Sequence, residues 1–107
     1  MTEWIEATDV SFFDGADRKL IQLGGGKVIA VFKVSGDFFA VDGWCSHDKA
    51  LLTDGDLEGH EIMCPLHGAR FDVRTGQHLS LPAVRPVSRY EVKVDQGKVW
   101  VKAGANT

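Results

Sequence analysis

A chain of 107 residues, 44% hydrophobic and 25% charged, fits one compact domain of ordinary globular composition and excludes a disordered or fibrous protein. Its formal charge of -3 argues against generic nucleic-acid binding. Two cysteines are too few for a secreted disulfide scaffold, and a reducing compartment keeps them free as metal ligands.

In chain order, the N-terminal "MTEWIEATDV" is acidic where a signal peptide needs a basic flank and an apolar run, and no later stretch approaches membrane-spanning length. A soluble, cytoplasmic protein without membrane contact is expected. "RKLIQL", "KVIAVFKV" and "FFAV", separated by "GGG" and "SGD", predict a β-meander over residues 18–41. "LGGGKV" lacks the Ser/Thr, the glycine spacing and the following helix of a phosphate loop, and reads as a turn.

From residue 43 to 81 the pattern breaks. Gly43, Gly55, Gly59, Gly68 and Gly76 divide the chain into loops and very short strands, like a small insert on a β scaffold. Beyond it, "SRYEVKV", "DQG" and "KVWVKA" predict a hairpin in which Tyr90, Val92 and Val94 alternate with Arg89, Glu91 and Lys93, as a strand with one wet face requires. The tail "AGANT" is expected to fray. The fold class is all-β.

Within the insert, the stretch from Cys45 to Gly68 carries both cysteines and three of the four histidines, as Cys45/His47 and Cys64/His67 plus His60. Written as spacing, the set is C-x-H, sixteen residues, then C-x-x-H. A disulfide explains neither histidine, and chance would have to place a histidine beside each cysteine independently. A structural zinc site is the main alternative, since two thiolates and two imidazoles form a normal tetrahedral set. Zinc loops, however, commonly take like ligands from one knuckle, and each loop here is mixed. The remaining reading is a two-metal centre, in which each loop sends its cysteine to one iron and its histidine to the other.

At these residues the chain resembles the Rieske iron-sulfur proteins. Their motif C-x-H...C-P-x-H-G-x-x-F-D-x-x-T-G is matched at Cys45, His47, Cys64, Pro65, His67, Gly68, Phe71, Asp72, Thr75 and Gly76. The resemblance is strongest over residues 43–82 and is closest to the small ferredoxins of bacterial aromatic-ring dioxygenase systems. It implies a Rieske fold spanning 1–107, with an antiparallel β-sandwich base (1–42 and 83–107) and a small cluster-binding subdomain (43–82). It also implies one [2Fe-2S] cluster per chain, with Cys45, His47, Cys64 and His67 as its ligands.

Two ferric ions, two sulfides and two thiolates sum to zero charge, so reduction leads to -1, whereas a four-cysteine cluster starts at -2. Neutral imidazoles therefore raise the potential, to about -150 to +300 mV in Rieske centres. The electron is expected on the histidine-ligated iron. High-potential relatives add a disulfide, a serine and a tyrosine near the cluster; at those positions stand Ala50 and Leu66, Ala69, and Phe71. None can donate a hydrogen bond, so the low end, about -150 mV, is expected, with backbone amides of the glycine-rich loops as the main donors. Gly68 is expected to permit a tight turn after His67.

Pro82 reads either as part of a third loop over the cluster or as a strand-edge proline, and Trp44 either as a shield against water or as core packing. His60 and His78 fall outside the motif and read as loop or surface residues. Solvent-facing edges of His47 and His67, as the resemblance implies, offer the electron its exit and couple their ring protons to oxidation state.

With no nucleotide fingerprint, the resemblance implies a one-electron carrier that is not catalytic alone, receiving electrons from a ferredoxin reductase and passing them to a terminal aromatic-ring oxygenase. A monomer is expected. Asp48, Asp54, Asp56, Glu58 and Glu61, set against Lys49, are either a solvated surface or a steering patch for such partners. Two alternatives stand beside this reading: the Rieske-like small subunit of assimilatory nitrite reductase, and a zinc-stabilised interaction module.

Overall fold

The computed structural model describes residues 4–23, 26–45, 50–65, 68–79 and 86–102. Pro82 and the histidines at 47 and 67 therefore lie outside the described residues. Among the described residues the architecture is β throughout, with short 3-10 turns at Val10–Asp14 and Leu52–Asp54.

The expected meander is present. β2 (Arg18–Gln22), β3 (Val28–Val34) and β4 (Asp37–Asp42) pair antiparallel in that order, and β8 (Arg89–Tyr90) closes this four-stranded sheet against Ala40 and Val41. Ser35 and Gly36 between β3 and β4 both take positive φ, 52° and 86°, the turn geometry whose twist matches its flanking strands. Gln96 and Gly97 repeat it at 52° and 76°, between β9 (Val92–Asp95) and β10 (Lys98–Lys102).

"VIAVFKV" is nearly uninterrupted in its apolar run because both faces of β3 are covered. Ile29 and Val31 join one core with Phe13, Ile21, Ala40, Tyr90, Val99 and Val101. Ala30, Phe32 and Val34 face the opposite way into a second core with Cys45, Leu52, Ile62, Cys64, Phe71 and Val87. The first core fills a sandwich between the four-stranded sheet and a three-stranded sheet in which β10 lies between β9 and β1 (Trp4–Asp9). The second lies between the four-stranded sheet and a small sheet of β5 (Asp56–Glu58), β6 (Glu61–Met63) and β7 (Arg70–Asp72). Completely buried, the Phe32 side chain alone stabilises by about 1.5–3 kcal/mol.

β1 (Trp4–Asp9) pairs antiparallel with β10, and its register shifts between Glu6 and Thr8, where an extra residue breaks the period-2 pattern. One local expectation is corrected. The single strand expected through Tyr90, Val92 and Val94 divides at Glu91. Tyr90 belongs to the four-stranded sheet, whereas Val92 and Val94 pair with Val101 and Val99 in the other. Alternation accordingly fails at Val94, which is 51% exposed on the outer strand of its sheet.

Arg18 links the base to the small sheet. From β2 its guanidinium donates to the Thr53 carbonyl at 3.1 Å and to the Gly55 carbonyl, just before β5.

Candidate metal centre

The first loop leaves the end of β4. The Gly43 N–H donates to the Val28 carbonyl at 2.9 Å, and the Gly43 carbonyl accepts from the Leu52 N–H at 2.8 Å. A Cβ on Gly43 would lie 2.6 Å from Val28 Cγ2, so the backbone comes this close only as glycine. Trp44 and Leu51 then form an antiparallel bridge, and the Cys45 N–H donates to the Ala50 carbonyl at 2.9 Å.

The second loop leaves β6 and repeats that closure. The Cys64 N–H donates to the Ala69 carbonyl at 2.6 Å. In both loops the cysteine amide reaches the carbonyl five residues on, and in both the cysteine opens the loop with a buried side chain, 6% and 1% exposed. The expected tight turn is present at Gly68, whose φ of 76° allows its N–H to return to the Cys64 carbonyl at 3.1 Å. Two cysteine thiols presented by matching loops into one core are the donor chemistry a thiolate-ligated iron centre needs. His47 and His67 fall within these loops by sequence.

Around the thiols, Ala50, Ala69 and Phe71 are buried and offer no side-chain donor, as their sequence positions imply; Leu66 lies outside the described residues. The amides of Cys45, Cys64 and Gly68 donate to carbonyls and close the loops, which removes three of the backbone donors expected to serve the sulfurs.

Behind the second loop, "FDVRTG" forms a turn whose construction the sequence reading did not foresee. Phe71 is completely buried. The Asp72 carboxylate accepts the Arg74 N–H at 2.8 Å and its guanidinium at 3.0 and 2.8 Å. The Arg74 guanidinium holds the Asp72 carboxyl below the usual carboxylate range, chiefly through this side-chain bond and against the opposing effect of burial. Thr75 Oγ1 accepts the Gln77 N–H at 3.1 Å, and the Gly76 N–H returns to the Asp72 carbonyl at 2.7 Å. Gly76 has φ 81°, and a Cβ there would lie 2.1 Å from the Val87 carbonyl oxygen.

A second unforeseen group is Asp42, the last residue of β4. Its Oδ1 accepts the Tyr90 hydroxyl at 2.6 Å and its Oδ2 the Ser88 N–H at 2.9 Å. Burial, then this hydrogen bond, pushes the Tyr90 hydroxyl well above its usual range. Since 46 and 48 positions separate the partners, no local pattern signals the contact.

Trp44 is 43% exposed, which corrects the core-packing alternative; its indole N–H reaches the Gly26 carbonyl at 3.4 Å. His60 sits in the β5–β6 turn with its ring edge-on to Phe39 at 5.6 Å, and His78 forms a bridge with Phe71. The acidic run is partly compensated within the chain. Glu58 and Glu61 stand opposite each other on β5 and β6, and Arg70 on β7 lies 2.9 and 3.5 Å from their carboxylates.

The family model for the Rieske [2Fe-2S] domain matches residues 3–91, a span containing both cysteine loops and the turn behind them. The chain belongs to the Rieske [2Fe-2S] domain family. A [2Fe-2S] cluster is thus the cofactor with which the two buried thiols agree, and the sandwich with its added small sheet is a Rieske fold. Among curated Rieske relatives, the ferredoxin component of the naphthalene 1,2-dioxygenase/salicylate 5-hydroxylase systems of Ralstonia sp is 39% identical over 92% of this chain and 94% of its own. Among solved structures, a chain of the complex of reduced oxygenase and oxidised ferredoxin in carbazole 1,9a-dioxygenase has a TM-score of 0.92 at 32% identity, covering 97% of this chain and 96% of that one. A nitrite reductase NADPH small subunit has a TM-score of 0.73 at 20% identity, covering 92% and 97%; that likeness is of fold alone.

Proposed function

We propose that this Rieske protein is a one-electron carrier, with Cys45 and Cys64 holding one iron of the cluster and His47 and His67 the other. The observation that carries the reading is the matched pair of loops, each closed by the same cysteine-amide bond and each burying its cysteine in a common core. When bound, the cluster supplies one-electron oxidation and reduction at a potential that its ligands and surroundings set.

The chain's own residues do the rest. The loops keep both thiols out of water, Arg18 and the second core tie the small sheet to the base, and the residues at 50, 69 and 71 withhold side-chain donors, which favours a low potential within the Rieske range. The base (1–42 and 83–107) serves as scaffold for the cluster-binding part (43–82).

By likeness to the ferredoxin components above, electrons come from an NAD(P)H-dependent ferredoxin reductase and go to a terminal aromatic-ring dioxygenase, with the carrier acting as a cytoplasmic monomer. Among the described residues no helix is long and apolar enough to cross a membrane. The test is anaerobic purification followed by iron and acid-labile sulfide assays, EPR of the dithionite-reduced protein, and reconstitution with a reductase and an oxygenase. Two irons and two sulfides per chain, a red-brown colour and a reduced-state Rieske signal are expected. A colourless protein with one divalent ion and no sulfide would refute the reading in favour of the zinc module.

A further inference from the structure

The two cysteine loops reach their core separately, but the chain returning at residues 86–90 is bonded to the supports of both. The Val87 N–H donates to the Gly76 carbonyl at 2.8 Å, in the turn behind the second loop. The next residue, Ser88, exchanges bonds with Asp42: its N–H donates to Oδ2 at 2.9 Å, and its carbonyl accepts the Asp42 N–H at 2.9 Å. The Tyr90 hydroxyl completes the contact on Oδ1 at 2.6 Å. Asp42 stands three positions ahead of Cys45, so one side chain joins the root of the first loop to a segment already anchored to the second.

We propose that Asp42 is a positioning residue for the electron carrier, holding the root of the Cys45 loop and the returning chain in one arrangement and thereby setting cluster retention and midpoint potential. Burial and hydrogen bonding around the sulfurs control the potential of such centres. Truncating Asp42 removes both acceptors at once and leaves a part-buried N–H and a buried hydroxyl without partners. The link is geometric rather than a matter of charge. An asparagine keeps an oxygen for the Ser88 N–H and can donate to the Tyr90 hydroxyl, reversing only the direction of that bond.

The inference rests on the carrier reading above, and the experiment separates the two. Asp42→Ala, Asp42→Asn and Tyr90→Phe would be purified anaerobically with the cluster bound, then compared with wild type by redox titration and by the rate at which chelator bleaches the visible absorption. Asp42→Ala should bleach about tenfold faster, the equivalent of losing one or two buried hydrogen bonds, with a displaced midpoint. Tyr90→Phe should move both quantities part of the way, and Asp42→Asn should stay within about twofold of wild type. Wild-type behaviour in Asp42→Ala overturns the proposal, as does wild-type behaviour in Tyr90→Phe if the alanine variant does not fold. Asp42→Asn displaced as far as Asp42→Ala overturns it too, because charge would then be the cause. Wild-type protein without iron overturns the carrier reading itself, and this inference with it.

Discussion

The base and the small sheet hold themselves together by different means. The base has strands of up to seven residues in continuous ladders, and β3 buries side chains on both faces. The strands of the small sheet are three residues each, too few to define a stable unit by pairing alone. That part depends on backbone bonds that close its loops, on glycines at close approaches, and on the core it shares with the base. A long ladder tolerates the loss of one contact better than a loop closed by a few bonds does.

The comparison is broken most severely at the shared core. Phe32 lies on the base side and Phe71 on the ligand side, and both are fully buried in one cluster. Phe32→Ala and Phe71→Ala should each destabilise by about 3–5 kcal/mol in denaturant titrations, with cluster bleaching and loss of β-sheet circular dichroism coinciding in both. Bleaching in Phe71→Ala well ahead of an unmoved backbone transition would mean that the two parts unfold as independent units.

A pair of glycines sharpens the same contrast. Gly76 and Gly68 both have positive φ, 81° and 76°, but a Cβ at 76 meets the Val87 carbonyl oxygen at 2.1 Å, whereas at 68 the nearest atom is Met63 Sδ at 3.9 Å. Gly68→Ala carries only the conformational penalty, about 1–2 kcal/mol. Gly76→Ala adds a backbone collision and should exceed it by about 2 kcal/mol or more. Equal losses by chemical denaturation would show that the Gly76–Val87 approach relaxes freely and does not fasten the turn.

This division also explains what was legible in the sequence. The meander could be read because its apolar residues and its Ser35-Gly36 turn are neighbours in the chain, and the cysteines because each sits at a fixed short spacing from a histidine. β1 was hidden by its bulge, and the division at Glu91 by an alternation that runs unbroken across two sheets. Asp42 carries no local signal because its partners are strands away, and the acidic run concealed that Glu58 and Glu61 already share Arg70 across the small sheet. Sequence spacing located the chemistry; the fastening came from contacts distant along the chain.

The smallest effect concerns the turn behind the second loop. Asp72 titrates below its ordinary value because the Arg74 guanidinium binds its ionised form. A carboxyl depressed in the folded state binds fewer protons there than in the unfolded chain, so its contribution is complete above the unfolded value near 3.8 and is lost as pH falls through the lower folded value. Wild type should therefore lose stability on acidification below about pH 5 more steeply than Arg74→Gln, in which the Asp72 value returns toward the usual range. Because the Arg74 side chain is 52% exposed, added salt should reduce the difference. Matching acid-side slopes for the two proteins, measured by urea denaturation at stepped pH, would show that the backbone bonds of the turn keep its shape without the ion pair.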